Sequence, residues 1–178
     1  MRRELLLILF VFCFGSFVAA QQRVAPSRPY VTFRSDPGFI TINELTGGVG
    51  LSGTSAPFSK YFIGVTSVNG YQVNKNFLLG AGLGFTFYES GLLVPLFLDF
   101  RFTFEVSQLA PYLFADGGLL LNFADLNSTK LFINPGFGIR YTATRNFAIN
   151  FGAGILSQVD GTVRESFVNI KTGVVYKF

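Results

Sequence analysis

The last thirteen residues, Ser166 to Phe178, read SFVNIKTGVVYKF and alternate in a way that only an extended strand can use. Counting back from the end, Phe178, Tyr176, Val174, Thr172, Ile170 and Val168 share one face. Lys177, Val175, Gly173, Lys171 and Asn169 share the other. The first face is apolar and the second is mixed. Several upstream segments repeat this pattern, and no helical period intervenes that could cover a sheet. The apolar face therefore has no protein layer to bury it, and its expected solvent is lipid.

Composition agrees. A chain of 178 residues, 49% hydrophobic and 17% aromatic with a mean hydropathy of +0.44, is too apolar for an ordinary soluble domain. The one long apolar run, Leu5 to Ala20, follows Arg2 and Arg3 and closes on Val18-Ala19-Ala20. It has the form of a secretory signal peptide (residues 1–20) cleaved before Gln21. A permanent anchor fits worse, because the run breaks at Gly15-Ser16 and ends in small residues. The single cysteine, Cys13, lies inside the signal, so the mature chain has no disulfides or thiolate ligands. Cleavage leaves twelve basic residues against nine acidic ones. Beyond the N-terminal tail the basic residues are scattered singly, which argues against nucleic acid as a partner.

Residues 21–38 contain Pro26, Pro29, Pro37, Arg23, Arg28 and Arg34 and form an extended, poorly packed periplasmic leader. It is read as a tether, with a basic arm touching anionic groups as the alternative. From residue 39 to 178 eight strands are expected: Thr41 to Ser52, Lys60 to Tyr71, Asn76 to Tyr88, Leu92 to Phe104, Pro111 to Phe123, Leu131 to Thr142, Asn146 to Ser157 and Ser166 to Phe178. An even count puts both ends of the barrel on one side, the periplasmic one. Turns at 72–75, 105–110 and 143–145 would face the periplasm. Those at 53–59, 89–91, 124–130 and 158–165 would face outward, and all are short. Asn127-Ser128-Thr129 is a chance glycosylation match.

The third strand sets Phe77, Leu79, Ala81, Leu83, Phe85 and Phe87 against Leu78, Gly80, Gly82, Gly84, Thr86 and Tyr88. The fourth, sixth and seventh repeat the division. The first, second and fifth are less clean, and a bulge could flip them locally. Glycines and nearly all strand charges share the parity opposite the bulky apolar residues, the inverse of a soluble barrel. Two aromatic belts are expected, with Tyr61, Phe87, Leu92 and Phe102 at one rim and Tyr71, Phe77, Phe104, Tyr141, Tyr176 and Phe178 at the other.

The inward parity carries Glu44, Asp99, Arg101, Asp116, Arg140 and Lys171. In an eight-stranded barrel these six should pair as an ionic core, with the inward glycines giving the long side chains room. The alternative is a path in which Arg101, Arg140 and Lys171 filter anions. Asp99 and Asp116 could do acid/base work, but basic neighbours on the same parity favour structural pairing. Gly80-Ala81-Gly82-Leu83-Gly84 lies within a strand with no following helix, so it is not a phosphate loop. The chain has no histidine, which removes imidazole metal sites and His-dependent nucleophiles. No enzyme activity, cofactor or metal is expected.

Strand number, inverted faces, the mixed-charge interior and the terminal VVYKF together resemble the small eight-stranded outer-membrane barrels, the outer-membrane protein A and X type. The resemblance covers Thr41 to Phe178. It implies an all-β, eight-stranded antiparallel up-and-down transmembrane β-barrel in the outer membrane of a Gram-negative envelope. It further implies that Tyr176 and Phe178 act as an assembly signal read by the barrel-assembly machinery, and that the barrel contacts outer-membrane lipid. Outer-membrane barrel enzymes that hydrolyse or transfer acyl groups, and the barrel proteases, use a catalytic histidine, so resemblance to those enzymes fails here. The expected role is structural or interactive, through an envelope partner, with a plugged lumen. A porin-like narrow channel for small solutes or ions is the second reading. A secreted soluble barrel holding an apolar ligand would need the Phe-rich parity inside.

Overall fold

Eight strands follow one another in chain order and close into a single barrel, each hydrogen-bonded antiparallel to its sequence neighbours and the last to the first, in the computed structural model of the chain. They are β1 (Gly38–Gly50), β2 (Tyr61–Gln72), β3 (Phe77–Tyr88), β4 (Gly91–Thr103), β5 (Leu109–Leu121), β6 (Lys130–Thr142), β7 (Phe147–Asp160) and β8 (Val163–Lys177). The structure describes residues 31–51, 59–89, 91–104, 107–123, 129–161 and 163–178, without the side chains of 160 and 163. The signal peptide, its cleavage site, the leader as far as residue 30, the loop over 52–58 and the sequon residues 127 and 128 lie outside the described residues.

Register settles the parity that the sequence left mixed. Each of the eight ladders keeps one register from end to end, so no bulge flips a face. Pairing lapses beside Pro95 in the β3–β4 ladder and beside Pro135 in the β6–β7 ladder, where proline has no N–H to donate. Across the ladders Gly38 leads through Gln72, Leu78, Arg101, Phe114, Gly136, Gly154 and Asn169 back to Gly48, ten residues further along β1. With eight strands, that stagger sets a tilt of about 40°. Strands of 12 to 15 residues then stand roughly 30–38 Å tall.

The outer surface is apolar and the interior polar. Phe178 is 68% exposed, Ile170 67% and Leu98 64%, whereas Arg101 and Asp99 are fully enclosed. The interior is layered. Away from the chain termini, Phe62, Tyr88, Phe97, Phe132 and Phe167 pack ring against ring across the lumen. The charged residues fill the middle, and Ile40, Ile42, Leu78, Ala148 and Val175 close toward the terminal end.

Three expectations are corrected. Phe102 pairs with Phe77 across β3–β4, their rings 4.9 Å apart, and so belongs to the terminal rim rather than beside Phe87. β4 descends toward that rim, so its late residues share a level with the early residues of β3. The turn placed at 158–165 shrinks, because β7 and β8 pair out to Asp160 and Val163. Gly161 takes a φ of +57°, a left-handed turn position that favours glycine. The inward glycines make room for aromatic rings and neighbouring backbone more often than for charged chains: a Cβ on Gly82 would lie 2.3 Å from the Phe97 ring, and one on Gly138 2.4 Å from the Phe151 carbonyl and 2.6 Å from Tyr112.

Candidate functional site: the charged lumen

Arg101 organises the lumen. It sits on β4 two residues after Asp99, and a strand's period of two points both inward. Its Nε donates to both oxygens of Asp99 at 2.9 and 3.0 Å, and its Nη2 to Asp99 Oδ2 at 2.6 Å. Nη1 and Nη2 reach across the barrel to Glu44 Oε1 and Oε2 on β1, at 2.9 and 3.0 Å. β1 and β4 are not neighbours, so this fork bridges the lumen.

A second bridge runs beside it. Lys171 on β8 donates to Asp116 Oδ2 on β5 and lies 3.7 Å from Glu44 Oε2. Its ammonium also sits 4.8 Å from the centre of the Phe114 ring. Asn134 donates to Asp116 at 3.0 Å, and Asn169 donates to Asn134 at 2.8 Å. Asp99 and Asp116 face each other in the β4–β5 ladder, each supplied with its own cation. Five of the six inward charges expected from sequence thus form one cluster: Glu44, Asp99, Arg101, Asp116 and Lys171.

Arg140 stands apart. Its Nε donates to Asn150 at 3.2 Å, and its guanidinium lies 5.8 Å from the Tyr112 ring and 5.3 Å from the Phe33 ring. No carboxylate is bonded to it among the described residues. The Tyr112 ring is thereby flanked by two guanidinium groups, since Arg101 lies at the same 5.8 Å.

Three inward charges were missed. Lys130 and Glu165 meet at 3.5 Å, and Gln158 donates to the same Glu165 oxygen at 2.7 Å. The sequence boundaries had left both in loops, although each continues its strand's inward parity. Lys177 lies on the inward face of β8 and donates to the carbonyls of Arg34 (3.2 Å) and Asp36 and to Gln72 Oε1 (3.3 Å). It thereby draws the end of the leader under the barrel. Phe33 is buried there, and Arg34 N–H donates to the Arg145 carbonyl at 2.9 Å.

Arg34 and Asp36 form an exposed ion pair at 2.7 Å. The hydrogen bond from Arg34 holds the Asp36 carboxyl below its ordinary range, with Lys177 adding to the effect, and raises Arg34 in turn. Tyr176 and Phe178 both face outward at the terminal rim, their rings edge to face at 5.2 Å.

A lumen cavity bordered by Thr66, Phe97, Asp116, Phe132 and Lys171 measures about 30 Å³, room for a water or two. This geometry can hold charge away from solvent.

No family model matches the sequence, and no curated protein matches it. Among solved structures the chain is similar to Neisserial surface protein A, with 17% identity and a TM-score of 0.60 over 80% of this chain and 99% of that one. It is also similar to a de novo designed transmembrane β-barrel, with 19% identity and a TM-score of 0.50 over 82% of this chain and 100% of that one. The N-terminal β-barrel domain of Pseudomonas aeruginosa OprF aligns over 79% of this chain and 100% of its own, with 18% identity and a TM-score of 0.49. The first two likenesses establish the fold that this chain shares with them: a closed, eight-stranded antiparallel β-barrel.

Proposed function

We propose that the protein is an integral outer-membrane barrel with a plugged polar lumen, serving envelope structure or a protein complex. The observation that carries this reading is the pair of cross-lumen bridges, Arg101 to Glu44 and Lys171 to Asp116, each joining strands that are not neighbours. A conducting path through them would have to separate buried opposite charges, which is strongly unfavourable. The apolar outer band supports hydrocarbon as its solvent, because a continuous exposed apolar surface of this kind would aggregate in water. The descriptions of a surface protein and a transmembrane barrel on the similar structures agree with that location.

On this reading residues 1–20 direct export and are cleaved before Gln21. The terminal rim, where β1 begins and β8 ends, faces the periplasm. Outer-membrane lipid contacts the apolar band, and the barrel-assembly machinery recognises β8 through Tyr176 and Phe178. No catalytic role is assigned, since the chain has no histidine and its buried carboxylates are engaged by cations or amides.

The test is conductance in a planar lipid bilayer, with the refolded protein compared with an Arg101→Ala/Arg140→Ala variant. A silent wild type and a leaking or poorly refolding variant are expected. Discrete wild-type steps whose ion selectivity changes in the variant would replace the plug with the second reading, a narrow channel.

A further inference from the structure

Charge is matched locally along the described lumen except around Arg140. This side chain is buried, yet its Nη2 has no hydrogen-bond partner, and neither has the enclosed hydroxyl of Thr142 two residues on. Both residues line one cleft at the terminal end, about 260 Å³ with its open mouth included. Arg34 and Lys75 also line it, and so do the hydroxyl-bearing Ser35, Thr103 and Ser107. Among the described residues no aspartate or glutamate lines it. Asp36 lies nearby in sequence, but its carboxylate is engaged by Arg34 at 2.7 Å and lies 3.7 Å from Lys177.

The Arg140 guanidinium without a carboxylate partner, the Lys75 ammonium, several hydroxyls and two orphaned buried polar groups suit an occupant that accepts hydrogen bonds and carries negative charge. A water could take the hydrogen bonds but leaves the charge unmatched. A guanidinium edge and a neighbouring hydroxyl suit an oxygen of a planar or tetrahedral oxyanion. The enclosed inner end admits about one water-sized group, so a single oxygen enters while the rest of the anion faces the mouth. The Phe33 ring over the guanidinium forms one wall and limits access of bulk water. Gln72, Thr103, Arg140 and Thr142 all lie on the inward parity, so the cleft opens inside the ring of strands and not onto the apolar band.

We propose that this cleft binds a small soluble oxyanion of the phosphate class, with one oxygen against Arg140 Nη2 and the Thr142 hydroxyl and the remaining charge met by Lys75. The site lies below the Arg101 and Lys171 bridges and is independent of whether the lumen conducts.

The test is isothermal titration of the detergent-refolded mature chain with sodium phosphate, with sodium chloride as the control at matched ionic strength. Arg140→Gln, Thr142→Val and Lys75→Gln are titrated in parallel, each first shown to migrate as a folded, heat-modifiable barrel. Saturable one-to-one binding is expected for the wild type. Arg140→Gln should weaken it at least about tenfold, the equivalent of one lost charge-assisted hydrogen bond, and Lys75→Gln less. If Arg140→Gln does not fold, Thr142→Val and Lys75→Gln carry the same test. Absence of saturable binding would mean that the cleft holds ordered water only, and affinity unchanged in the variants would place any binding elsewhere. Either result would overturn the proposal.

Discussion

Replacing Arg101 with Met should destabilise the barrel by about 3–5 kcal/mol, the range for removing one partner of a buried ion pair. The magnitude follows from what is left behind. Arg101 is the only side chain bonded to Asp99 among the described residues, and it engages both oxygens of Glu44. After substitution Glu44 keeps Lys171 at 3.7 Å, whereas Asp99 is stranded in an interior that water does not reach. Most of the cost should therefore come from Asp99. An Asp99→Asn/Arg101→Met double variant removes the stranded charge and should recover about 2 kcal/mol, whereas Glu44→Gln/Arg101→Met should recover less. The chain has no tryptophan, so unfolding in urea from lipid vesicles is best followed by the β-sheet circular dichroism signal and by heat-modifiable gel migration. A cost below about 1 kcal/mol for Arg101→Met, or equal recovery by both double variants, would refute the assignment of Arg101 as the bridge on which Asp99 depends.

The leader, the glycine-lined interior and the terminal rim each give a further expected outcome. The depressed Asp36 carboxyl stabilises the docked leader while it is ionised, so this contribution is present above the ordinary value of 3.8 and is lost as acid carries the pH down through the lower folded value. Protection of the amides at residues 33–36, corrected for the intrinsic exchange rate, should therefore fall slightly at low pH, and Asp36→Asn should show the same small loss at neutral pH. Gly82→Ala must displace the Phe97 ring, which a Cβ would meet at 2.3 Å, at a cost of about 1–3 kcal/mol in urea unfolding; Phe97→Leu in the same chain should restore part of it. Phe178→Ala should leave the detergent-refolded barrel near wild-type stability, because the ring is 68% exposed, but should lower the amount assembled into outer membranes, measured by fractionation.

The barrel was legible because four strands, β3, β4, β6 and β7, keep every glycine and charge off the outward parity. β1 and β2 were less clear for a reason that register alone reveals. Thr41, Asn43, Ser67 and Asn69 lie on the outer parity, opposite one another in the β1–β2 ladder, and Thr41 donates to Asn69 at 2.7 Å. Polar residues on the apolar face blur a period of two, although the backbone keeps it. The inward charges Glu44, Asp99, Arg101, Asp116 and Lys171 were legible as a group because parity selects a face. Their pairing was not, because the bridges join β1 to β4 and β5 to β8, and those distances depend on barrel closure and the ten-residue stagger. Lys130 and Glu165 were lost to strand ends drawn too short. Phe33 was lost because nothing in a proline- and arginine-containing leader marks one ring as buried.

Phe33 also changes how the terminal end of the barrel works. Seven of the eight strand junctions are hairpin connections within the chain, but β1 and β8 are joined only by their ladder and have no turn to hold their register. Lys177 lies at that seam, one residue from the end of the chain, and binds the carbonyls of Arg34 and Asp36 together with Gln72 from β2. Phe178 N–H donates to the Phe39 carbonyl at 3.2 Å, which adds a backbone tie across the same seam. The docked segment over 33–36 therefore does for β1 and β8 what a turn does at the other seven junctions. Its exposed Arg34–Asp36 pair contributes little by itself, and the buried ring and the enclosed ammonium supply most of the hold.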